Sequence, residues 1–368
     1  MKRNHSVNRV LAALLCVCTL GLPASARAAA APASSDVFSA AAAARFLRDF
    51  RSGAITVASR PDLDLTDNDI FTGGDARAML MYTVGSIPDL KAFQARVSTG
   101  LCSERLMDRF SYTGVKTEPN GGYRSENVSI VISSGEMGDS RYHLADICVQ
   151  DLACLVTAFS QGEFGGSAAT VQQMFDSVDG GLVAMNGDYY TQHYYGPVIR
   201  NGETFVDHVT RDWDLAVLLN SGELKTYDYR VLTKEALASM GVYQTWVFGP
   251  SLLDEEGHAK TKFRSAVQAA NPRSVLGYYE PGHYAFLVVD GRTKESKGLT
   301  MQDLSQLCEE LGFARAYNLD GGRSSVLIGV NGFINEPYRG GRTSSDIVAI
   351  RELPVIEPSP DPSPTAGD

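Results

Sequence analysis

The chain has 368 residues, of which 44% are hydrophobic, and a formal net charge of −10. That apolar share is enough to bury a sizeable core, and the acidic balance argues against nucleic acid or an anionic membrane as the main partner. An anionic ligand must then be met by a local cluster of donors and not by the overall field.

At the start of the chain, Lys2, Arg3 and Arg9 precede a 13-residue apolar run from Val10 to Leu22, with small residues after it at Ala24-Ser25-Ala26 and Ala26-Arg27-Ala28. This pattern predicts a cleaved secretory signal over residues 1–28, its apolar run being short for a membrane helix. The expectation is a secreted or cell-surface protein with no stable membrane insertion after cleavage; an uncleaved anchor is the alternative. Cleavage removes four positive charges and no acids, taking the net charge from −10 to −14. Cys102, Cys148, Cys154 and Cys308 then remain, and all three of their pairings are open. No cysteine or histidine spacing fits a zinc site, so no cysteine-held metal is expected. Cys308 reads as a core residue on a helix.

Residues 29–126 read as an N-terminal accessory segment. It holds an Ala/Pro/Ser-rich leader, a helix from Ser39 to about Arg51, a helix within residues 99–110 and a turn at Asn120-Gly121-Gly122. Strands are predicted at 128–133 and 142–149. Ser167 is then expected to cap a helix carrying Val171, Met174, Phe175 and Val178 on one face. A buried strand at 182–185 delivers Asn186-Gly187-Asp188. Hairpins are predicted at Asn201-Gly202, Ser221-Gly222, Asp290-Gly291 and Asn331-Gly332, since such steps supply the positive φ of tight turns. Thr300 and Asp303 form a capping pattern before Met301, Leu304, Leu307, Cys308 and Leu311 at helical spacing. A strand at 314–319 opens into Asp320-Gly321-Gly322, and the Pro-rich stretch 353–368 reads as a disordered tail. Strands dominate without regular βαβ alternation. The fold class is therefore α+β, a strand-rich mixed-sheet domain over 127–352 with interspersed helices, plus the accessory segment.

The segment Tyr317-Asn318-Leu319-Asp320-Gly321-Gly322-Arg323-Ser324-Ser325 concentrates the chemistry. An acid at a strand end is followed by two glycines, which let backbone approach a ligand and turn N–H groups inward, and by two hydroxyl donors. Taken alone, such a triplet reads as a solvated strand-ending turn sooner than as a ligand site. The stretch resembles the NLDGGGSS signature of the phosphodiester glycosidase family, whose bacterial members are linked with exopolysaccharides. Ala184-Met185-Asn186-Gly187-Asp188-Tyr189-Tyr190 is similar to that family's AINGDYY strand end, and Val198-Ile199-Arg200-Asn201-Gly202 to its IRNG hairpin. The blocks Asn271-Pro272-Arg273-Ser274 through Val289-Asp290-Gly291-Arg292, and Arg339 through Asp346, follow in the same order. The resemblance covers roughly residues 127–352. Arg323 stands where many members have a third glycine, and Asp346 where many have asparagine.

The resemblance implies hydrolysis of a sugar joined through its anomeric carbon to a phosphodiester. A phosphate monoester is a good anionic leaving group, so such a site needs phosphate donors and one carboxylate more than a strong general acid. On that reading Asp320 is the first candidate carboxylate and Asp188 the second, while Asn186 binds a sugar hydroxyl or orients Asp320. Arg273 and Arg342 are assigned to phosphate, because a guanidinium fork matches its oxygens. Gly187, Gly321, Gly322, Ser324, Ser325 and His283 complete the candidate substrate-binding set. Each assignment has a plainer rival: Asp188 as a turn cap, Arg273 and His283 as surface residues, Arg342 as the ion-pair partner of Asp346, Asn318 as a strand-end residue. Tyr189, Tyr190, Tyr194 and Tyr195, with His193, offer stacking faces for a sugar or simple packing. The expected partner is a carbohydrate phosphodiester. The residues name no definite cofactor and leave the metal question open; a divalent cation held by Asp188 and Asp320 would make the protein a metal-assisted phosphodiesterase. A non-catalytic glycan-binding module is the third alternative.

Overall fold

The computed structural model describes residues 39–66, 71–192, 196–209, 213–228 and 231–354. The expected signal and nearly all of the Pro-rich tail lie outside these. Helix α1 (Ala40–Arg51) begins at Ser39, whose side chain accepts a bond from the Ala42 N–H. Helix α2 (Gly73–Thr83) starts from a capping box of Thr72 and Asp75. Helix α3 (Leu90–Thr99) ends where a helix was expected to begin, and a 3₁₀ turn at Glu104–Arg109 takes up that span.

The strands follow in chain order: β1 (Lys116–Thr117), β2 (Tyr123–Arg124), β3 (Val128–Met137), β4 (Ser140–Val149), β5 (Leu155–Phe159) and β6 (Ala169–Thr170). Helix α4 (Val171–Asp176) is capped not by Ser167 but by Thr170, because Gln173 sits three residues on and closes a reciprocal box. Next come β7 (Gly181–Asn186), β8 (Val198–Arg200), β9 (Glu203–Val206), β10 (Leu215–Leu219), β11 (Leu224–Tyr227), α5 (Lys234–Ser239) and β12 (Val242–Trp246). The C-terminal part holds β13 (Arg273–Glu280), β14 (His283–Val289), α6 (Met301–Glu310), β15 (Arg315–Asn318), β16 (Leu327–Gly329), β17 (Gly332–Phe333), β18 (Thr343–Ser344) and β19 (Asp346–Arg351). Three of the four predicted X-Gly hairpins form, joining β8 to β9, β10 to β11 and β16 to β17. Asp290-Gly291 closes none. It leads β14 into a loop where a Cβ on Gly291 would stand 2.8 Å from Gly298 and 2.9 Å from Pro272.

Two antiparallel sheets carry the fold, a seven-stranded one in the order β1-β2-β3-β4-β14-β13-β15 and a five-stranded one in the order β17-β16-β7-β19-β5. Strand side chains alternate between faces, and that alternation separates three cores. Ile130, Ile147, Leu276 and Phe286 of the large sheet share one buried cluster with Met185, Leu327, Val348 and Ile350 of the small one. On the outer face of the large sheet, Val275, Ala285 and Leu287 pack against Met301, Leu304, Leu307 and Cys308 of α6. On the outer face of the small sheet, Ala184, Ile328 and Ala349 pack against Val171, Met174 and Phe175 of α4. The result is a helix–sheet–sheet–helix sandwich, an α+β arrangement in which β7, β15 and β19 end near one another.

The N-terminal helices build a separate cluster around Phe46, Phe71, Met79 and Phe93 that reaches the large sheet at Cys148. Polar contacts fix it there: Arg109 to Asp146 at 3.0 Å and the Ser103 hydroxyl to Glu280 at 3.0 Å. All four described cysteines are free and buried. The Cys102 sulfur lies 3.2 Å from the Val149 carbonyl, and a hydrogen bond with the neighbouring Cys148 thiol, helped by burial, pushes it far above its ordinary range. Cys154 belongs to the central core and Cys308 to the α6 cluster. Mild oxidation is therefore expected to link Cys102 to Cys148 and to leave the other two as thiols. Peptide mapping without reductant checks this, and a cross-link involving Cys308 would contradict it. Among the described residues no helix is long and apolar enough to cross a membrane.

Candidate active site

Asn186 ends β7 and is fully buried. Its amide donates to the Asp320 carbonyl at 2.7 Å and to the Gly187 carbonyl at 3.1 Å, while its Oδ1 accepts from the Ser274 hydroxyl at 2.8 Å and the Val326 N–H at 3.3 Å. Two donors and two acceptor sites are thereby engaged within the protein. Of the two roles the sequence offered Asn186, the geometry supports orienting the Asp320 loop and leaves no group for a sugar hydroxyl.

Beneath this loop lies a charged group that the sequence did not assign to the site. Arg200, on the short apolar strand β8, is fully buried and sits between two carboxylates. Its Nη2 is 2.9 Å from Asp188 Oδ1 and 3.0 Å from Asp346 Oδ2. Asp188 Oδ2 accepts from the Val247 N–H at 2.8 Å. Burial opposes the charge on Arg200, but Asp188 and Asp346 outweigh it and raise the guanidinium above its ordinary value. The sign that might have exposed this residue was a lone arginine in an otherwise apolar strand. Arg342, proposed as a partner of Asp346, pairs elsewhere, because Arg200 fills that position. Gly187 is glycine for the same reason, since a Cβ there would collide with Asp346 Oδ1.

One guanidinium between two buried carboxylates leaves one negative charge over. Asp346 absorbs it: burial first, then the nearby Asp188, push its carboxyl from 3.8 up to about 7. Between pH 4 and 7 the folded protein thus holds a proton that the unfolded chain has lost. This group's contribution must make stability fall as pH rises through that window and level off above it. Thermal unfolding at pH 5 and pH 8 should show that slope, and Asp346→Asn should flatten it. An unchanged slope would mean that Asp346 is ionised throughout.

Asp320 is placed differently. It follows β15 at the rim, with its side chain 8% exposed. Asp320 Oδ2 accepts from the Ser324 hydroxyl at 2.5 Å and from Arg342 Nη2. Arg342 Nε also donates to Ser324 Oγ, closing a triangle. Both contacts fall on Oδ2, so Oδ1 has no hydrogen-bond partner among the described residues. Arg342 is 39% exposed along its side chain and lies 4.9 Å over the ring of Tyr189, a cation–π contact that fixes its direction. Ser325 is buried with its hydroxyl unpaired.

The glycines serve packing more than donation. A Cβ on Gly321 would meet the Pro272 carbonyl at 2.9 Å, and the Gly322 N–H donates to that same carbonyl at 2.9 Å. The Gly322 N–H therefore does not turn toward a ligand. Asn318 donates to the Gly249 carbonyl at 2.7 Å, as a strand-end residue. Tyr190 is buried against Phe159 and Phe164, whereas Tyr189 joins the rim. His193, Tyr194 and Tyr195 lie outside the described residues.

Two candidates do not reach this cluster. Arg273 neighbours Ser274 on β13, and alternation sends it to the opposite face. There its guanidinium donates to the carbonyls of Leu299, Val267 and Ala269. Burial, with Arg292 nearby, pushes it down to about 10. His283 sits at the other end of the hairpin, because the register pairs Ser274 with Val288 and Glu280 with His283. Val288 and His283 are five positions apart, roughly 17 Å of strand. His283 bonds Asp146 at 2.7 Å and stacks on Tyr279 at 4.1 Å.

No cysteine-held metal was expected from spacing, yet folding brings Asp146, Cys148 and His283 together with ligand atoms within 4.8 Å. There Arg109 and His283 both contact Asp146 Oδ1, which makes the group an ion-paired cluster as it stands. The pair suggested as joint cation ligands is also changed by the fold. Asp188 is bound by Arg200 and Asp320 by Arg342, so each carboxylate already faces a guanidinium.

Residues 179–351 match the sequence model of a family described as phosphodiester glycosidase. The SPbeta prophage-derived uncharacterized protein YomE of Bacillus subtilis (strain 168) is 26% identical over 161 residues, which is 42% of this chain and 25% of that protein. The match thus spans about a quarter of that relative's length. Among solved structures, the catalytic domain of zebrafish N-acetylglucosamine-1-phosphodiester alpha-N-acetylglucosaminidase, auto-inhibited by its pro-peptide, superposes with a TM-score of 0.51 at 20% identity, over 61% of this chain and 83% of that one. A hypothetical protein from Synechocystis gives 0.49 at 12% identity, over 66% of this chain and 65% of that one. The zebrafish likeness, at 20% identity, is one of fold. Asn186, Asp188, Arg200, Asp320, Arg342 and Asp346 all fall inside residues 179–351, the stretch that matches the phosphodiester glycosidase family.

Proposed function

We propose that this protein is an exported hydrolase that releases a sugar from a glycosyl-1-phosphodiester, in a cell-wall or exopolysaccharide setting. The observation that carries the reading is the contrast among three carboxylates. Asp188 and Asp346 are sealed under the loop by Arg200, whereas Asp320 reaches the rim with Oδ1 unengaged and Arg342 beside it. The export part rests on the composition of residues 1–28.

The chemistry follows from that pairing. Arg342 holds the bridging phosphate, Tyr189 and Ser324 keeping its guanidinium in place. As the C1–O bond breaks, its electron pair goes to the phosphate oxygen, and positive charge develops on the sugar ring. The Asp320 carboxylate meets that charge, while Arg342 meets the charge gathering on the phosphate monoester. The leaving group departs as an anion without a proton, so no general acid is needed. A water molecule then forms the new C1–O bond and gives its proton to Asp320. Asn186 contributes by holding the Asp320 backbone, and Arg200 by holding the floor.

Hydrolysis in ¹⁸O-labelled water separates this from phosphodiesterase chemistry. Label in the released sugar is the expected result, and label in phosphate would place the cleavage at P–O and end the proposal. The panel of sugar-1-phosphodiesters should be run with and without chelator. A protein that bound these compounds and never released product would be a glycan-binding module instead.

A further inference from the structure

Beside Asp320 the surface gathers positive charge that the hydrolytic step leaves unused. A Cβ on Gly322 would stand 2.9 Å from Arg292 Nη2, so this guanidinium lies against the active-site loop. Arg292 is steered by Asn271 Oδ1, which accepts from its Nε at 3.1 Å and its Nη2 at 2.8 Å. Its Cζ is 5.5 Å from the ring centre of Tyr338, and the Cζ of Arg339 is 5.2 Å from the same ring. Arg323, directly after Gly322, donates its Nε to the Gly341 carbonyl at 2.7 Å. All three arginines are exposed. Among the described residues none has a carboxylate within ion-pair distance, on a chain whose net charge is −10.

The backbone marks the same place. Among the described residues five non-glycines adopt positive φ: Gln161, Tyr189, Asn201, Arg292 and Arg339. Asn201 occupies an Asn-Gly turn, where asparagine tolerates that conformation. Gln161 lies apart, in the turn after β5; of the other three, Tyr189 lies under Arg342, Arg292 lies against Gly322, and Arg339 belongs to a turn that packs on the Gly322–Ser324 turn. Strained conformations of this kind gather at functional sites. Arg292 and Arg339 share one aromatic ring and Arg323 follows the active-site loop directly, with no carboxylate within ion-pair distance of any of them among the described residues, an arrangement open to an anion that arrives from outside.

We infer that Arg292, Arg323 and Arg339 form a second anion subsite next to the reaction centre, and that it takes a further phosphate carried by the aglycone. The inference builds on the proposed hydrolysis, since it names the class of leaving group. Guanidinium forks match phosphate oxygens in pairs, and two of these lie by the ring of Tyr338. The preferred substrate is then a sugar-1-phosphodiester whose alcohol side is itself phosphorylated, as in a chain of repeated phosphodiesters, and not the ester of a neutral alcohol.

The test compares binding of inorganic tripolyphosphate and inorganic orthophosphate to the full chain by calorimetry, alongside turnover of a neutral-alcohol sugar-1-phosphodiester. Wild-type protein should bind tripolyphosphate at least about tenfold more tightly than orthophosphate. The double variant Arg292→Asn, Arg339→Asn should lose that preference while keeping its orthophosphate affinity and its turnover of the neutral ester. Asparagine is chosen because it tolerates positive φ. Arg45→Asn, an exposed arginine on α1, should change nothing. Equal binding of the two anions by wild type, or a preference that survives the double variant, overturns the subsite. Failure of the neutral ester to turn over, with the tripolyphosphate preference intact, overturns the hydrolytic reading and leaves the anion subsite standing.

Discussion

Replacing Asp320 with asparagine is expected to lower kcat/KM on a sugar-1-phosphodiester by about 10³-fold or more, with the loss in kcat. The amide keeps the shape of the side chain, so Ser324 and Arg342 retain a partner, and the Asp320 carbonyl is still held by Asn186. What disappears is the negative charge that faces the developing cation. Steady-state kinetics on the variant, with circular dichroism to show an unchanged fold, give the answer. A variant within tenfold of wild type would remove Asp320 from the chemistry. Asp188→Asn is a useful contrast, because Asp188 is closed off by Arg200 and Val247 and should act through stability.

The second large effect concerns folding. Arg200→Met is expected to destabilise the protein by about 3–5 kcal/mol, because it strands Asp188 and Asp346 as buried carboxylates without a counter-charge. The shape of the side chain is nearly kept, so the loss is electrostatic. Adding Asp188→Asn and Asp346→Asn to the same chain removes the stranded charges and should recover much of the deficit. Denaturant unfolding of the single and triple variants measures both. If the single variant lost less than 1 kcal/mol, the buried triad would not be holding the floor of the site.

Much of this was readable from residue patterns. Helix α6 announces itself through Thr300, Asp303 and the spacing of Met301, Leu304, Leu307 and Cys308. Strand β7 does so through a short apolar run ending in Asn-Gly, and Asp320-Gly321-Gly322 through its place after β15. Local patterns carry local structure, and those elements are local. Arg273 illustrates where this fails: a strand's register fixes which face a side chain takes, and one residue decides between the Ser274 side and the α6 side. His283 failed for a related reason, since a hairpin has two ends and sequence does not say which one meets the site. Arg200 was hidden because its partners, Asp188 and Asp346, are 12 and 146 positions away. The sandwich itself depends on pairings such as β4 with β14, which no short window contains.

Asn186 has a further consequence, one that concerns chemical ageing. Asn-Gly is the dipeptide most prone to deamidation, because the glycine nitrogen can attack the asparagine side chain and close a succinimide. The chain has four such steps, at Asn120, Asn186, Asn201 and Asn331. In the folded protein the Gly187 nitrogen donates to the Asp346 carbonyl at 3.0 Å, and the Asn186 amide is fixed on both of its atoms. The residue that holds the Asp320 backbone is thus shielded from decay by the same bonds that position Asp320. Asn331 sits on an exposed turn with one bond, from its amide to the Pro119 carbonyl at 3.2 Å. In storage the surface turns should convert first, and the central asparagine should last as long as the fold does.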